Sequence, residues 1–293
     1  MEIVKIHPRD RVYDSSFLSL FQSCEKKCYW KHFHGGFGIN IPREPIALAF
    51  GSAIHDGLPV WEKGGSVDEA CAVAIKRFNE CGQEDGKRSI LYVDNLIRGY
   101  VTHYGKPLVY RKNEDGSPML EVEFTLFIGE ICVRGRLDGI GEFDNGIWVV
   151  DKKTSSSFSS YFLDKFRRDM QMKTYYWALK SLIGKCSGIM IDMLKVSETM
   201  IRFEDGVGKR EARNVDDFYF RQPLIFDDYA IVLYENLVKL IDKKIQACIR
   251  DNEWQENLGE CFQYGECPFL WLCEMPDKVE ALIEQRFAYN KER

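Results

Sequence analysis

Residues 120–155 constrain this chain more than any other stretch. LEVEFTLFI alternates apolar and polar positions through Val122, Phe124, Leu126 and Ile128, the period of a half-buried strand. Gly129-Glu130 follows as a two-residue hairpin turn with glycine first. ICVRGRLDGIGEF is the return strand, Asp144-Asn145-Gly146 signals a second turn, and IWVVDKKT is a third strand. Strands joined by turns this short form a meander. Asp138 and Asp151, thirteen residues apart, are thereby delivered to neighbouring strands.

Helical patterns surround the meander. Residues 14–34 read as a helix capped by Asp14 or Ser15, with Phe17, Leu18, Phe21 and Cys24 at helical spacing. Further helices are expected over 46–63, interrupted near Pro59, and over 67–81, 89–104, 165–183 and 226–250. IMIDMLKV and TMIRFE read as two more strands, and the tail from 254 is rich in cysteine and aromatics and closes with a short amphipathic helix. The expected fold class is α/β, a mixed central sheet flanked by helices. The expected organisation is an N-terminal helical region (1–110), a catalytic core (111–225) and a C-terminal helix with a cysteine-rich tail (226–293), packed as one compact unit.

Composition excludes several classes. With 45% hydrophobic and 29% charged residues the chain carries enough apolar material for a sizeable core. The net charge of -5 leaves no basic tail, so any nucleic-acid contact must come from local patches. No window approaches a membrane span, and the opening MEIVKIHPRDR is charged where a signal peptide is apolar. A soluble, intracellular, cytoplasmic protein is expected. Ten cysteines in such a chain point to metal binding before disulfides. No GxxxxGK[ST] motif marks a nucleotide-driven motor.

Asp151 and Lys153 alternate onto one face of their strand, behind the apolar run Ile-Trp-Val-Val. Burying such charges is costly unless they are used. Carboxylates at this position can hold Mg²⁺ or Mn²⁺, which lowers the pKa of a bound water, and a nearby lysine can orient that water or stabilise developing charge. On its own, Asp-x-Lys also describes a salt bridge in a strand pair.

The residues do not stand alone. GRLDGI, VVDKKT and QMKTYYWAL together resemble the RecB-type branch of the PD-(D/E)XK nucleases, whose motifs read G-x-[IL]-D, D-x-K-[ST] and Q-x-x-x-Y. Gly135, Asp138, Asp151, Lys153, Thr154, Gln171 and Tyr175 fill those positions. The resemblance implies that Asp138 and Asp151 hold the metal together with the backbone carbonyl of Lys152. It implies that Lys153 activates water or stabilises charge, and that Gln171 and Tyr175, four apart on one helix face, place the DNA strand. Core packing beside Tyr176 and Trp177 is the other reading of Tyr175. The family also carries G-x-x-x-H in an early helix, matched by Gly51 and His55, which makes His55 a further metal ligand; read alone, it is a core histidine.

Cys261, Cys267 and Cys273 are spaced six and six apart, and Cys24 lies far upstream. Some RecB-type nucleases bind a [4Fe–4S] cluster through one cysteine before the core and three after it. By that resemblance these four are the ligands and Cys28 falls on an aromatic position. The tail departs from the family's commoner Cys-x-x-Cys. Structural Zn²⁺ on four thiolates and simple burial remain the alternatives.

Lys165, Arg167, Arg168 and Lys173 precede or occupy the motif helix, and Lys26 and Lys27 adjoin Tyr29 and Trp30, a basic and aromatic mixture suited to single-stranded DNA. A solvated helix face is the other reading of these charges. The function implied is metal-dependent hydrolysis of DNA from an end, with a helicase, recombination or CRISPR protein as a possible partner. A flap or branched-DNA endonuclease and a silent nucleic-acid-binding scaffold are the rivals.

Overall fold

The structure, a computed structural model, describes residues 10–42, 44–156, 160–197, 217–263 and 265–290. Strand β1 (Val12–Tyr13) leads into α1 (Ser15–Ser23), where the Asp14 carboxylate accepts from the Phe17 amide at 2.7 Å as the helix cap. The helix expected over 14–34 divides at Cys24, whose extended backbone (φ -162°, ψ 114°) ends α1 and starts α2 (Glu25–His32). A sulfur can cap a helix as an oxygen does, and Cys24 Sγ accepts from the Lys27 amide at 3.4 Å. Strand β2 (Ile39–Asn40) follows.

Helices α3 (Ile46–Glu62), α4 (Val67–Asn79) and α5 (Ile90–Tyr104) come next. The expected break at Pro59 does not occur: α3 runs through it. Proline removes one helical hydrogen bond, but packing holds the turn in place. At Gly57 a side chain would meet the Ala70 carbonyl at 2.8 Å and Ala74 Cβ at 2.8 Å, so α3 and α4 are in close contact there. Phe50, Ile54, Leu58, Phe78, Ile97 and Tyr100 fill the core among the three helices.

The meander forms as β3 (Leu120–Ile128), β4 (Ile131–Phe143) and β5 (Gly146–Ser155). Asp144 and Asn145 both have positive φ, 50° and 56°, the backbone of a type I′ hairpin turn. Helix α6 (Ser160–Arg168) and α7 (Met170–Ile183) replace the single helix expected over 165–183. Asp169 divides them, its carboxylate accepting from the amides of Gln171 and Met172 at the start of α7. Strand β6 (Gly188–Lys195) is the expected IMIDMLKV strand, whereas TMIRFE lies outside the described residues. Strand β7 (Tyr219–Leu224), helix α8 (Tyr229–Asp251), α9 (Leu270–Glu274), α10 (Val279–Arg286) and β8 (Ala288–Tyr289) complete the chain.

The main sheet is mixed. Strand β1 joins β4 in parallel, β3 and β5 both pair with β4, β5 is parallel to β6, and β6 is antiparallel to β7. Helices flank this central sheet, which is the α/β arrangement expected. The chain divides into two compact units. The first comprises residues 1–43, 124–135 and 228–293, and Trp30, Ile39, Phe269, Leu272 and Ile283 form a core there. The second comprises residues 44–123 and 136–227 and contains the three-helix core. Among the described residues no helix is long and apolar enough to cross a membrane.

Candidate active site

His55, Asp138, Asp151, Lys153, Thr154, Gln171 and Tyr175 fall in the second unit, and Gly135 in the first. Strand β4 supplies Asp138 and β5 supplies Asp151, Lys152 and Lys153. Pairing of Gly139 with Val150 sets the two carboxylates side by side at the same level of the sheet. Asp138 is 9% exposed and Asp151 is fully buried. Lys153 Nζ donates to Asp151 Oδ1 at 3.1 Å and lies 3.0 Å from Oδ2. It also donates to Gln171 Oε1 at 2.8 Å, and Gln171 Nε2 donates to the Tyr175 hydroxyl at 2.8 Å. One continuous line of polar contacts therefore runs from Asp151 through Lys153 and Gln171 to Tyr175. Tyr175 is also 6% exposed, so it packs and bonds at once.

His55 enters from α3. Its Nδ1 lies 3.2 Å from Asp138 Oδ2, and the Lys152 amide donates to the same oxygen at 3.0 Å. At Gly51, one turn before His55, a Cβ would already touch Thr154 Oγ1 at 3.4 Å. Little more than a methyl group fits between α3 and β5 there, which gives the small residue of G-x-x-x-H a packing reason.

The electrostatics set the two carboxylates apart. Burial alone would lift Asp138, but His55, with Lys152 and Lys153, outweighs it and holds the carboxyl well below the usual range. For Asp151, burial dominates and Asp138 adds repulsion, so despite Lys153 its pKa is pushed up to about 6. Burial works against a charged His55, yet Asp138 raises its pKa above the ordinary value. Burial likewise opposes the Lys153 charge, and Asp151 and Asp138 more than restore it.

A hard divalent cation fits this set. Asp138 and Asp151 bring two buried carboxylates together, and Lys153 Nζ stands 3.0 Å from Asp151 Oδ2. Carboxylate oxygens are the ligands such a cation prefers. Among the described residues no group of three or more His, Cys, Asp and Glu side chains is arranged as a ready metal cage. Asp138, Asp151 and His55 are the side chains here of the kind such a cation takes.

One part of the site escaped the sequence. The Lys152 side chain, 1% exposed, points to the other face of β5, where Nζ lies 2.9 Å from Glu62 Oε2. The Tyr110 hydroxyl donates to Glu62 Oε1 at 2.6 Å, and Lys152 Nζ reaches the same hydroxyl at 3.5 Å. Glu62 follows His55 by seven residues, two turns along one face of α3. That spacing, with the first lysine of Asp-Lys-Lys, is the signal the sequence offers. The buried pair holds the histidine's helix against the strand that carries the acid.

The cysteines lie in the first unit. Cys24, Cys261, Cys267 and Cys273 are free and half-buried, and Cys28 is fully buried. The Cys267 amide donates to the Cys261 carbonyl at 2.7 Å, and Trp30 Nε1 donates to Cys273 Sγ at 3.4 Å. Burial raises the Cys261 thiol pKa, and Cys267 and Cys24 add to the shift, which places those three within electrostatic reach of one another. Burial pushes Cys273 up to about 11, with Cys267 contributing. Among the described residues these thiols form no ligand cage.

Lys165, Arg167 and Arg168 are exposed on α6, and Lys173 is half-buried at the start of α7. In the first unit, Lys26 Nζ sits over the rings of Tyr29 (5.1 Å) and Trp30 (5.3 Å), and Lys27 is half-buried.

The model of the PD-(D/E)XK nuclease superfamily matches residues 15–274. Two solved structures are similar. One, from Eubacterium rectale, is described as a "Putative exonuclease"; it is 13% identical, with 85% of each chain covered and a TM-score of 0.48. The other, named SSO0001, is 13% identical, with 82% of this chain and 79% of that chain covered and a TM-score of 0.34. No curated protein matches.

Proposed function

We propose, because this chain belongs to the PD-(D/E)XK nuclease superfamily, that it is a Mg²⁺- or Mn²⁺-dependent deoxyribonuclease acting on DNA ends. The observation behind it is the convergence of Asp138, Asp151, Lys153 and His55 at one place on β4, β5 and α3. When bound, the cation supplies an acidified water and neutralises charge on the phosphate.

The chain's own residues do the rest. Asp138 and Asp151 would hold the cation, with the Lys152 carbonyl and His55 as further ligands. The Asp138–His55 contact fixes the ring, and the low pKa of Asp138 keeps it ionised. Lys153, held by Asp151 and Gln171, keeps an ammonium group beside the reacting phosphate. Gln171 and Tyr175 position Lys153 and the strand. Lys165, Arg167, Arg168 and Lys173 receive backbone phosphates, and Lys26 and Lys27 add cationic and aromatic contacts. End-directed action rests on the resemblance of the motif set to RecB-type enzymes. Such an enzyme works on intracellular DNA, and a helicase or recombination protein that exposes ends is a fitting partner.

Cys24, Cys261, Cys267 and Cys273 would hold a [4Fe–4S] cluster that ties the start of the first unit to its tail. Their shared electrostatic neighbourhood supports this part of the reading. Anaerobically purified protein should then contain about four iron and four sulfide per chain. One zinc per chain would mark the rival tetrathiolate site, and neither metal would return the four cysteines to packing roles.

The activity is tested with end-labelled linear DNA, single- and double-stranded, beside covalently closed circles. Linear DNA shortened from its ends while circles survive supports the exonuclease. Nicked circles or cut flaps would replace it with an endonuclease, and binding without cleavage would leave a scaffold.

A further inference from the structure

Glu121 adopts a left-handed backbone, φ 55°, inside β3. A non-glycine residue is held there against its steric preference, and such strain collects at functional sites. The conformation accompanies a specific contact: Arg136 Nε lies 2.7 Å from Glu121 Oε2, with side chains 57% and 25% exposed. An exposed ion pair of this kind adds little to stability, so strain at Glu121 has no evident return in the fold.

Its surroundings point to the site. Arg136 stands two residues before Asp138 in β4, so the two side chains share one face of the sheet. Burial pushes the Glu121 carboxyl up, with Arg136 opposing, and Asp138 and His55 also act on it. Arg136 acts in turn on Tyr175. An exposed guanidinium therefore stands on the face of the sheet that carries Asp138. A planar guanidinium suits a phosphate, which it can grip with two parallel hydrogen bonds.

We infer that Arg136 binds a DNA phosphate adjoining the bond being cut, with Glu121 as the tether that aims it. This rests on the deoxyribonuclease reading above. Glu121 neutralises the guanidinium when no DNA is present and fixes its direction when a phosphate arrives.

The test measures binding of a dye-labelled single-stranded oligonucleotide by fluorescence anisotropy, in EDTA, over a series of salt concentrations. Wild-type protein is compared with R136Q, R136K and E121A, and cleavage is measured in parallel with Mn²⁺. Loss of one phosphate contact on a single strand reduces the slope of log K against log salt by about 0.7. R136Q should show that reduction and a kcat/KM lower by about 10-fold or more, the loss of one charge-assisted hydrogen bond. R136K should keep the salt slope and still lose turnover, because an ammonium lacks the fork. E121A should keep the slope with a smaller loss of kcat/KM, and all three should melt as wild type does. A wild-type slope and turnover in R136Q, on protein that itself binds and cleaves DNA, overturns the role of Arg136 and leaves the nuclease reading standing. Wild-type protein with no DNA affinity overturns both.

Discussion

The acidic site and the cysteine region hold their chemistry in opposite ways. In the second unit each functional side chain is gripped by another: Asp138 by His55 and the Lys152 amide, Asp151 by Lys153, Lys153 by Gln171, Lys152 by Glu62. In the first unit Cys24 and Cys261 contact backbone groups, Cys273 accepts from Trp30 and Cys267 packs in the local core, and among the described residues the four form no ligand group. A site that organises itself should keep its geometry when its ion is removed. A site organised by its ion should lose local order with it. The contrast can be broken at either end.

The largest effect is expected at the acidic pair. Asp151→Ala and Lys153→Ala should each lower cleavage by about 10³-fold or more, with DNA affinity largely kept, because they act on the cation and on developing charge. Asp151→Asn should in addition leave metal-free protein as stable as wild type or more so, since it removes a buried charge that burial disfavours. Thermal melts in EDTA check this, and a large drop in melting temperature would show that Asp151 is structural.

Next comes the buried pair beneath the site. Glu62→Ala or Lys152→Ala leaves one charge buried alone and should cost about 3–5 kcal/mol in denaturant unfolding. Glu62→Leu with Lys152→Met should recover most of that stability. Stability recovered without cleavage would sharpen the account, since it assigns the pair to holding His55 and β5 in register.

A pH dependence of smaller size follows from the shifted groups. Asp151 rises from 3.8 to about 6 on folding, so the fold prefers it protonated, and its ionisation costs stability as pH climbs from about 4 through 6. His55 is also raised, and the stability it contributes below its unfolded value of 6.5 is lost as pH rises through its folded value. Both act in one direction, so metal-free protein should be less stable at pH 8 than at pH 5. Asp151 contributes its part of the loss between pH 5 and about 6, at about 1.4 kcal/mol per pH unit. Mn²⁺ should restore more stability at pH 8 than at pH 5; an equal gain at both would remove Asp151 from the cation's ligands.

The smallest effect on catalysis is expected from the cysteines. Cys24→Ser or Cys267→Ser should speed hydrogen exchange in residues 252–273 while cleavage of short DNA changes only several-fold. A loss of cleavage as deep as that of Asp151→Ala, in protein that stays folded, would tie the two regions together more closely than this contrast allows.

Much of this was legible in the sequence, for identifiable reasons. The meander was readable because strand period, the glycine turn at 129 and the Asp-Asn turn at 144 all agree. The motif set marks residues that the fold brings together in the second unit, because alternation within β5 alone puts Asp151 and Lys153 on one face. The helix breaks at Cys24 and Asp169 were missed because each residue caps the next helix while sitting inside an unbroken helical pattern. Pro59 misled in the other direction, since close packing of α3 on α4 overrides one lost hydrogen bond. The signal for Glu62 is faint, and Tyr110 has none, because their partner, Lys152, pairs with them across 90 and 42 positions of chain.

If Asp138, Asp151 and Lys153 form a cation-dependent phosphodiesterase centre, cleavage must follow the return of the metal. Wild-type and Asp151→Asn proteins are stripped with EDTA, then mixed with end-labelled linear DNA and increasing Mn²⁺ or Mg²⁺. The account predicts no cleavage by either stripped protein, saturable recovery in wild type, and none in Asp151→Asn at any ion concentration. Cleavage by stripped wild-type protein, or equal recovery in Asp151→Asn, would contradict it.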